Sequence, residues 1–317
     1  MKLRGLRRAV EAGGVLVALA TLVVWCSVPR VGYLADGNPG TTAFIELRKR
    51  EAAAANKPWK LEWRWQPLDK ISPYLRAAVV YSEDEHFWTH DGVDWNAIEK
   101  AAGAHFARGG STITQQLAKN LFLSPSRSMV RKVRELLIAY RLEDALDKQR
   151  ILELYLNVVE WGDGVFGAEA ASRRWFHRSA SALTPAEAAR LAVALPNPFT
   201  RSPAVRSGEL TRKAARIVRE MRNDHVISAG QYGEARIELG LDPRPAPAEE
   251  QAEDRAALRD DEAADDEVPV PTRERGPEPS REAEPSREPE PSREPAPPPA
   301  PAAPIDAAPD VPVSDPQ

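Results

Sequence analysis

The segment from Pro245 to Gln317 holds 18 of the chain's 29 prolines and no Phe, Trp or Tyr. A stretch of that composition buries too little apolar surface to offset the entropy of ordering it. The folded body must therefore lie within the first 244 residues. Inside the tail, EPSREA, EPSREP and EPSREP start at Glu278, Glu284 and Glu290. This six-residue period has no hydrophobic face and predicts a solvated, disordered acidic Pro-rich tail over 245–317, not a solenoid. Charge divides at the same place. The tail carries 20 acids and 7 bases, the remainder 27 acids and 36 bases, so the overall net charge of −4 conceals a basic body. Phosphate, nucleic acid and anionic lipid are the partner classes such a body suits. One cysteine, Cys26, excludes a disulfide-stapled scaffold.

Lys2, Arg4, Arg7 and Arg8 precede an apolar run from about Ala12 to Val28. Extended by its flanks, the run is just long enough to span a bilayer. It ends in Val23, Val24, Trp25 and Cys26 without a small-residue cleavage site, so an uncleaved transmembrane anchor over residues 1–29 is expected rather than a signal peptide. The basic end would stay inside and the rest of the chain outside. Residues 30–58 read as a polar, alanine-rich connector with a helix near Thr42–Ala55, lifting the next domain off the bilayer.

From Trp59 to about Pro203 apolar residues recur at helical spacing with few alternating runs, which predicts an all-α body. Helices are expected over Trp95–Phe106, Thr112–Phe122, Ser128 to about Leu146, Lys148–Val159 and Ala186–Leu195. The caps are Asp94, the Gly109-Gly110-Ser111 break and Thr184-Pro185-Ala186-Glu187. Residues 206–244 form a helical extension, with a pair of helices over 209–240 packed on the body.

Four strings could carry chemistry. Glu83 to Gly92 gathers acids and histidines, including Asp84, His86 and His90, around Phe87 and Trp88. Aromatic walls raise a carboxyl pKa and prepare it for proton transfer; the bland alternative is a capped helix end, and a metal site at His86 and His90 is a weaker one. The second string is Gly109-Gly110-Ser111-Thr112, with Thr114, Gln115, Gln116, Lys119 and Asn120 following on a helix whose free N–H groups suit an anion. It is no P-loop, and an ordinary cap is the competing reading. On the third helix Arg127, Arg131, Lys132 and Arg134 surround Glu135, while Val130, Val133, Leu137 and Tyr140 are expected as the buried stripe; a surface ion-pair face would look the same. On the fourth, Glu153 and Asn157, extended by Arg150, make a polar strip on an apolar helix, which must face a cleft or pair internally.

Together these strings resemble the peptidoglycan glycosyltransferases of family 51, and among them the monofunctional biosynthetic transglycosylases. The resemblance rests on E-D-x-x-F-x-x-H-x-G at Glu83, Asp84, Phe87, His90 and Gly92, and on G-G-S-T-x-T-Q-Q from Gly109 to Gln116 with Lys119 and Asn120. R-K-x-x-E at Arg131, Lys132 and Glu135 and I-L-E-x-Y-L-N from Ile151 to Asn157 complete it, over residues 59–205. Trp175-Phe176-His177-Arg178 and the acidic tail depart from the family pattern. The resemblance implies a lysozyme-like helical fold with a cleft opening at the membrane, and lipid II as substrate. It makes Glu83 the general base and gives the diphosphate to Ser111, Thr112, Gln115, Gln116, Lys119, Asn120, Arg131 and Lys132. Glu135 would position that group or a bridging divalent cation, Mg or Mn; since a carboxylate repels a diphosphate, it would act through the metal or by orienting Lys132. No organic cofactor is implied. Glu153 would sit on the acceptor side, supported by Asn157. Val93–Ala107 would dip into the bilayer or act as a lid. Implied partners are the growing glycan, membrane lipid and, through the tail, cell-wall synthesis proteins, with no nucleic acid. Implied location is the inner membrane, single-pass, with the catalytic domain periplasmic. A lysozyme-like or lytic glycan-cleaving enzyme and a membrane-anchored scaffold are the alternatives. No S-x-x-K serine and no K-T-G occurs, so no penicillin-binding transpeptidase domain is expected.

Overall fold

A computed structural model describes residues 27–95, 110–126, 128–204 and 207–243, with residues 13, 14, 99, 252, 255 and 256 besides. The expected anchor, the helix over Trp95–Phe106 with its lid role, Arg127 and the tail lie outside these residues, wholly or nearly so. Among the described residues no helix is long and apolar enough to cross a membrane.

Helices α1 (Ala43–Ala54), α2 (Pro73–Glu83), α3 (Ile113–Phe122), α4 (Met129–Ala145) and α5 (Lys148–Val158) come first. Then follow α6 (Ala168–Phe176), α7 (Pro185–Ala194), α8 (Gly208–Asn223) and α9 (Ala229–Leu239). Their starts are written in side chains. Thr42, Ser72, Ser128, Asp147 and Ser207 each accept a hydrogen bond from a backbone N–H of the first turn. Thr112, Thr184 and Ser228 go further and close reciprocal capping boxes with Gln115, Glu187 and Gln231.

The body is not purely helical. Glu62–Trp63 (β1), Glu160–Gly162 (β2) and Val165–Phe166 (β3) form a small sheet in the order β1-β3-β2, parallel between β1 and β3 and antiparallel between β3 and β2. Strands of two or three residues are too short to show alternation, which is why the sequence reads as helix throughout. Gly167 ends this hairpin at φ +81°, where a Cβ would lie 2.7 Å from the Asn157 carbonyl oxygen. Gly167→Ala is expected to destabilise the fold by at least about 1–2 kcal/mol from the left-handed backbone alone, with the clash added. A fall in the thermal midpoint checks this; an unchanged midpoint would deny the tight turn.

The buried core is continuous across both ends of the 59–205 span. Val31, Leu34 and Ile45 from the expected connector are buried. The last residues of the expected anchor and the start of the connector are clamped to the domain: Arg141 donates to the Val28 carbonyl at 2.9 Å, and Arg150 donates to the carbonyls of Leu34 and Gly37 at 2.8 and 2.7 Å. Clamps on backbone carbonyls leave no trace in the sequence of the clamped segment. At the other end, α8 packs on α7 and α2, bringing Ala214, Val218 and Met221 into the core.

One helix phase reads differently in three dimensions. On α4 the buried residues are Glu135, Ile138, Ala139 and Leu142, while Val130, Val133 and Tyr140, expected inside, are exposed at 62, 45 and 42%. This helix has two apolar stripes. The one in line with Glu135 packs against α3, and the other is left outward.

Candidate active site

Glu83 is the last residue of α2, and its position is fixed from the next residue. The Asp84 carboxylate accepts the Ile113 N–H at 2.9 Å and pairs with His90 Nε2 at 2.9 Å, fastening the end of α2 to the start of α3. A carboxylate at a helix N-terminus is favourably placed. Gly92 turns the intervening loop at φ +82°, and its carbonyl accepts the Thr112 hydroxyl at 2.6 Å. Phe87 is fully buried and anchors the same loop, with Lys148 Nζ 4.7 Å from its ring centroid, whereas Trp88 is half exposed. His86 meets Asp94 at 2.9 Å, so each histidine is committed to its own aspartate.

From this anchor a line of contacts runs along α3. Glu83 Oε2 accepts the Gln116 side-chain NH2 at 2.8 Å, while Oε1 is buried without a hydrogen-bond partner. The same NH2 lies 3.4 Å from the Ser111 carbonyl oxygen. The Ser111 hydroxyl accepts from Lys132 Nζ at 2.9 Å, and Lys132 reaches Glu135 Oε1 at 2.5 Å. Arg131 donates to the other oxygen of Glu135, which is buried on α4. Base candidate and cation cluster therefore share one edge of α3.

Electrostatics follow from burial. Desolvation pushes the Glu83 carboxyl above the usual carboxylate range, against the opposing pull of the Gln116 hydrogen bond and of Lys119 and Arg201. Burial lowers Lys119 in turn; the carboxylates of Glu135 and Glu83 resist the fall, and Arg131 and Lys132 add to it. Lys119 thus feels both acids and both neighbouring cations.

The residues expected on sequence grounds divide into three groups. Glu83, Asp84, Ser111, Thr112, Gln116, Lys119, Arg131, Lys132 and Glu135 fall along this connected edge. Gln115 is the partner in the Thr112 cap, its NH2 buried without a hydrogen-bond partner, and Asn120 is buried on α3. Glu153 and Asn157 belong to a separate network. The Asn157 amide exchanges two 2.8 Å bonds with the backbone of Gln66, and Glu153 accepts the Leu68 N–H at 3.0 Å and pairs with Arg150. The polar strip of α5 therefore pairs internally. Arg201 and the Tyr155 hydroxyl are the site groups to which sequence reasoning gives no role: a lone arginine in a loop has no pattern, and Tyr155, though a position of the I-L-E-x-Y-L-N string, reads from its spacing as an apolar residue.

Comparison with known proteins decides the family. The transglycosylase family model matches residues 52–222. The chain belongs to the transglycosylase family. A biosynthetic peptidoglycan transglycosylase of Aromatoleum aromaticum is 51% identical over 183 residues, covering 56% of this chain and 76% of the relative. One of the same name from Bordetella pertussis is 48% identical over 216 residues, 64% of this transglycosylase and 84% of that protein. A third, from Azoarcus, is 50% identical over 191 residues, 58% and 82% of the two chains. The family match begins near the end of α1 and covers α8 to its last residue but one.

Proposed function

We propose that this transglycosylase polymerises lipid II into glycan strands, releasing undecaprenyl pyrophosphate by inverting glycosyl transfer at the outer face of the inner membrane. Peptidoglycan glycosyl transfer in cell-wall synthesis is the activity its family and its relatives' names carry. The observation that carries the finer reading is the unbroken line from Glu83 through Gln116 and Ser111 to Lys132, Glu135 and Arg131. A base raised by burial stands at one end, ready to take the proton of the acceptor 4-hydroxyl as it attacks the donor anomeric carbon. At the other end cations absorb the charge developing on a departing diphosphate, so no acid is needed to protonate the leaving group.

Glu135 acts in this reading by orienting Lys132 and Arg131. Both of its oxygens are taken by those cations, and no group of three or more His, Cys, Asp or Glu side chains suited to a metal occurs among the described residues. One engaged carboxylate is a poor donor set for a protein-held Mg or Mn. A divalent ion fits here only as a companion of the diphosphate, and no step depends on it. The outward apolar stripe of α4, together with exposed Met129 and Trp95, supports a membrane-facing side.

Lipid II turnover by the full-length protein in detergent, run beside purified sacculi, tests the proposal. Polymer from lipid II with sacculi untouched supports it; the reverse would make this a glycan-cleaving enzyme. Lys132→Ala is expected to weaken binding of diphosphate-bearing substrate about 10–100-fold, the value of one charge-assisted hydrogen bond, and unchanged affinity would contradict the clamp. Deleting residues 245–317 should leave polymerisation at its full rate, since the tail serves partner recruitment; loss of turnover would assign it to catalysis.

A further inference from the structure

The hydroxyl of Tyr155 on α5 is inside the site edge without belonging to either end of it. The side chain is fully buried, and its hydroxyl donates to Gln116 Oε1 at 2.9 Å. An amide has one acceptor and one donor end, so occupying the first with an O–H decides where the second points. Here it points at Glu83 Oε2, 2.8 Å away. Had Gln116 turned over, its carbonyl oxygen would face the Glu83 carboxylate and two acceptors would meet in a poorly hydrated place.

We infer that Tyr155 is a positioning residue for glycosyl transfer: through Gln116 it holds Glu83 by Oε2 and reserves the unpartnered Oε1 for the acceptor proton. The inference rests on Glu83 being the base. The tyrosine suits the task because burial, and then the nearby charges of Glu83 and Asp84, keep its hydroxyl protonated well beyond the working pH range. The charged groups acting on Glu83 are Lys119 from α3, Arg201 from the loop after α7 and its own neighbour Asp84; none of them touches the Gln116 carbonyl end. A hydrogen-bond relay through a neutral amide therefore sets the direction of the base, and those charges set its strength.

Tyr155→Phe keeps the ring that packs in the core and removes only the donor. It is expected to lower kcat for glycan polymerisation about tenfold, the equivalent of one hydrogen bond in the reacting arrangement, with KM for lipid II changed less than about threefold. The acid limb of the kcat/KM profile should move to higher pH, because a freed Gln116 no longer holds its NH2 on the carboxylate. In a Gln116→Met background the same Tyr155→Phe change should add nothing to either effect. A tyrosine that merely fills the core would instead give Tyr155→Phe with unaltered kcat and acid limb, or additive losses in the double variant, and either result overturns the inference. Glu83→Gln run in parallel separates the two levels. Retained activity there removes the base itself, whereas an inactive Glu83→Gln beside a wild-type Tyr155→Phe sinks only the positioning role.

Discussion

Glu83→Gln is expected to lower glycan polymerisation about 10²–10⁴-fold, the usual worth of a positioned general base, in a protein that folds as well as the parent or better. The gain in stability has a definite sign. The folded-state pKa of Glu83 lies above its unfolded value because burial disfavours the charge. Stability from this group is therefore full below the unfolded value and lost as pH rises through the folded one. Glutamine carries no charge to bury, so the variant should melt above the wild type at neutral pH, with the difference closing in acid. The same shift places the acid limb of the wild-type rate profile above the ordinary carboxylate range, activity rising as the base loses its proton. Thermal midpoints at neutral and acid pH, set beside rates, check all three. A variant that melts lower than wild type at neutral pH would mean that Glu83 is held by favourable charge pairing and is not poised as a base.

Glu135→Gln is expected to cost about 10²-fold in turnover, on the scale of losing one preorganised stabiliser of transition-state charge. Glu135 never touches the diphosphate in this account. Its two oxygens hold Arg131 and Lys132 side by side, and Lys132 in turn reaches Ser111. Glutamine offers one acceptor where two cations need one each, and it turns an NH2 toward the other. The cations then repel and lose their aim. Steady-state rates with lipid II measure the loss, and a chelator added to the wild type distinguishes the two readings of Glu135: orientation of cations predicts a large loss on substitution and a small one on chelation. Turnover near wild type in the variant would return Arg131, Lys132 and Glu135 to the surface ion-pair face that their spacing also allows.

The helices of the site were readable because their starts are made by local chemistry. Ser128 and Thr184 close their caps within three residues where the sequence places the helix starts, while the cap of α3 is Thr112, one residue past the Gly109-Gly110-Ser111 break, and Asp147 caps α5. Convergence was readable to the extent that the motif strings recur in known order. What escaped was non-local. Nothing near Val28 or Leu34 announces that Arg141 and Arg150 will grip their carbonyls more than a hundred positions later. The rotation of α4 is not decided by its own sequence, because Val130 and Val133 are as apolar as Ile138 and Leu142; the choice between stripes is made by α3, against which one of them packs. The polar strip of α5 allowed two readings, and the backbone of Gln66 and Leu68, invisible as donors and acceptors in any sequence, takes it inward. The role of the Tyr155 hydroxyl is hidden for the converse reason. Its ring obeys the apolar pattern of α5, and the pattern says nothing of where its hydroxyl goes.

The central claim, a buried carboxylate drawing off a sugar proton while cations receive a departing diphosphate, is met most directly by counting that diphosphate. With purified full-length protein and labelled lipid II, the wild type should release one undecaprenyl pyrophosphate for each linkage formed, and Glu83→Gln should form neither product while still binding the lipid. Linkages accumulating in Glu83→Gln at the wild-type rate, with the diphosphate released in step, would contradict it.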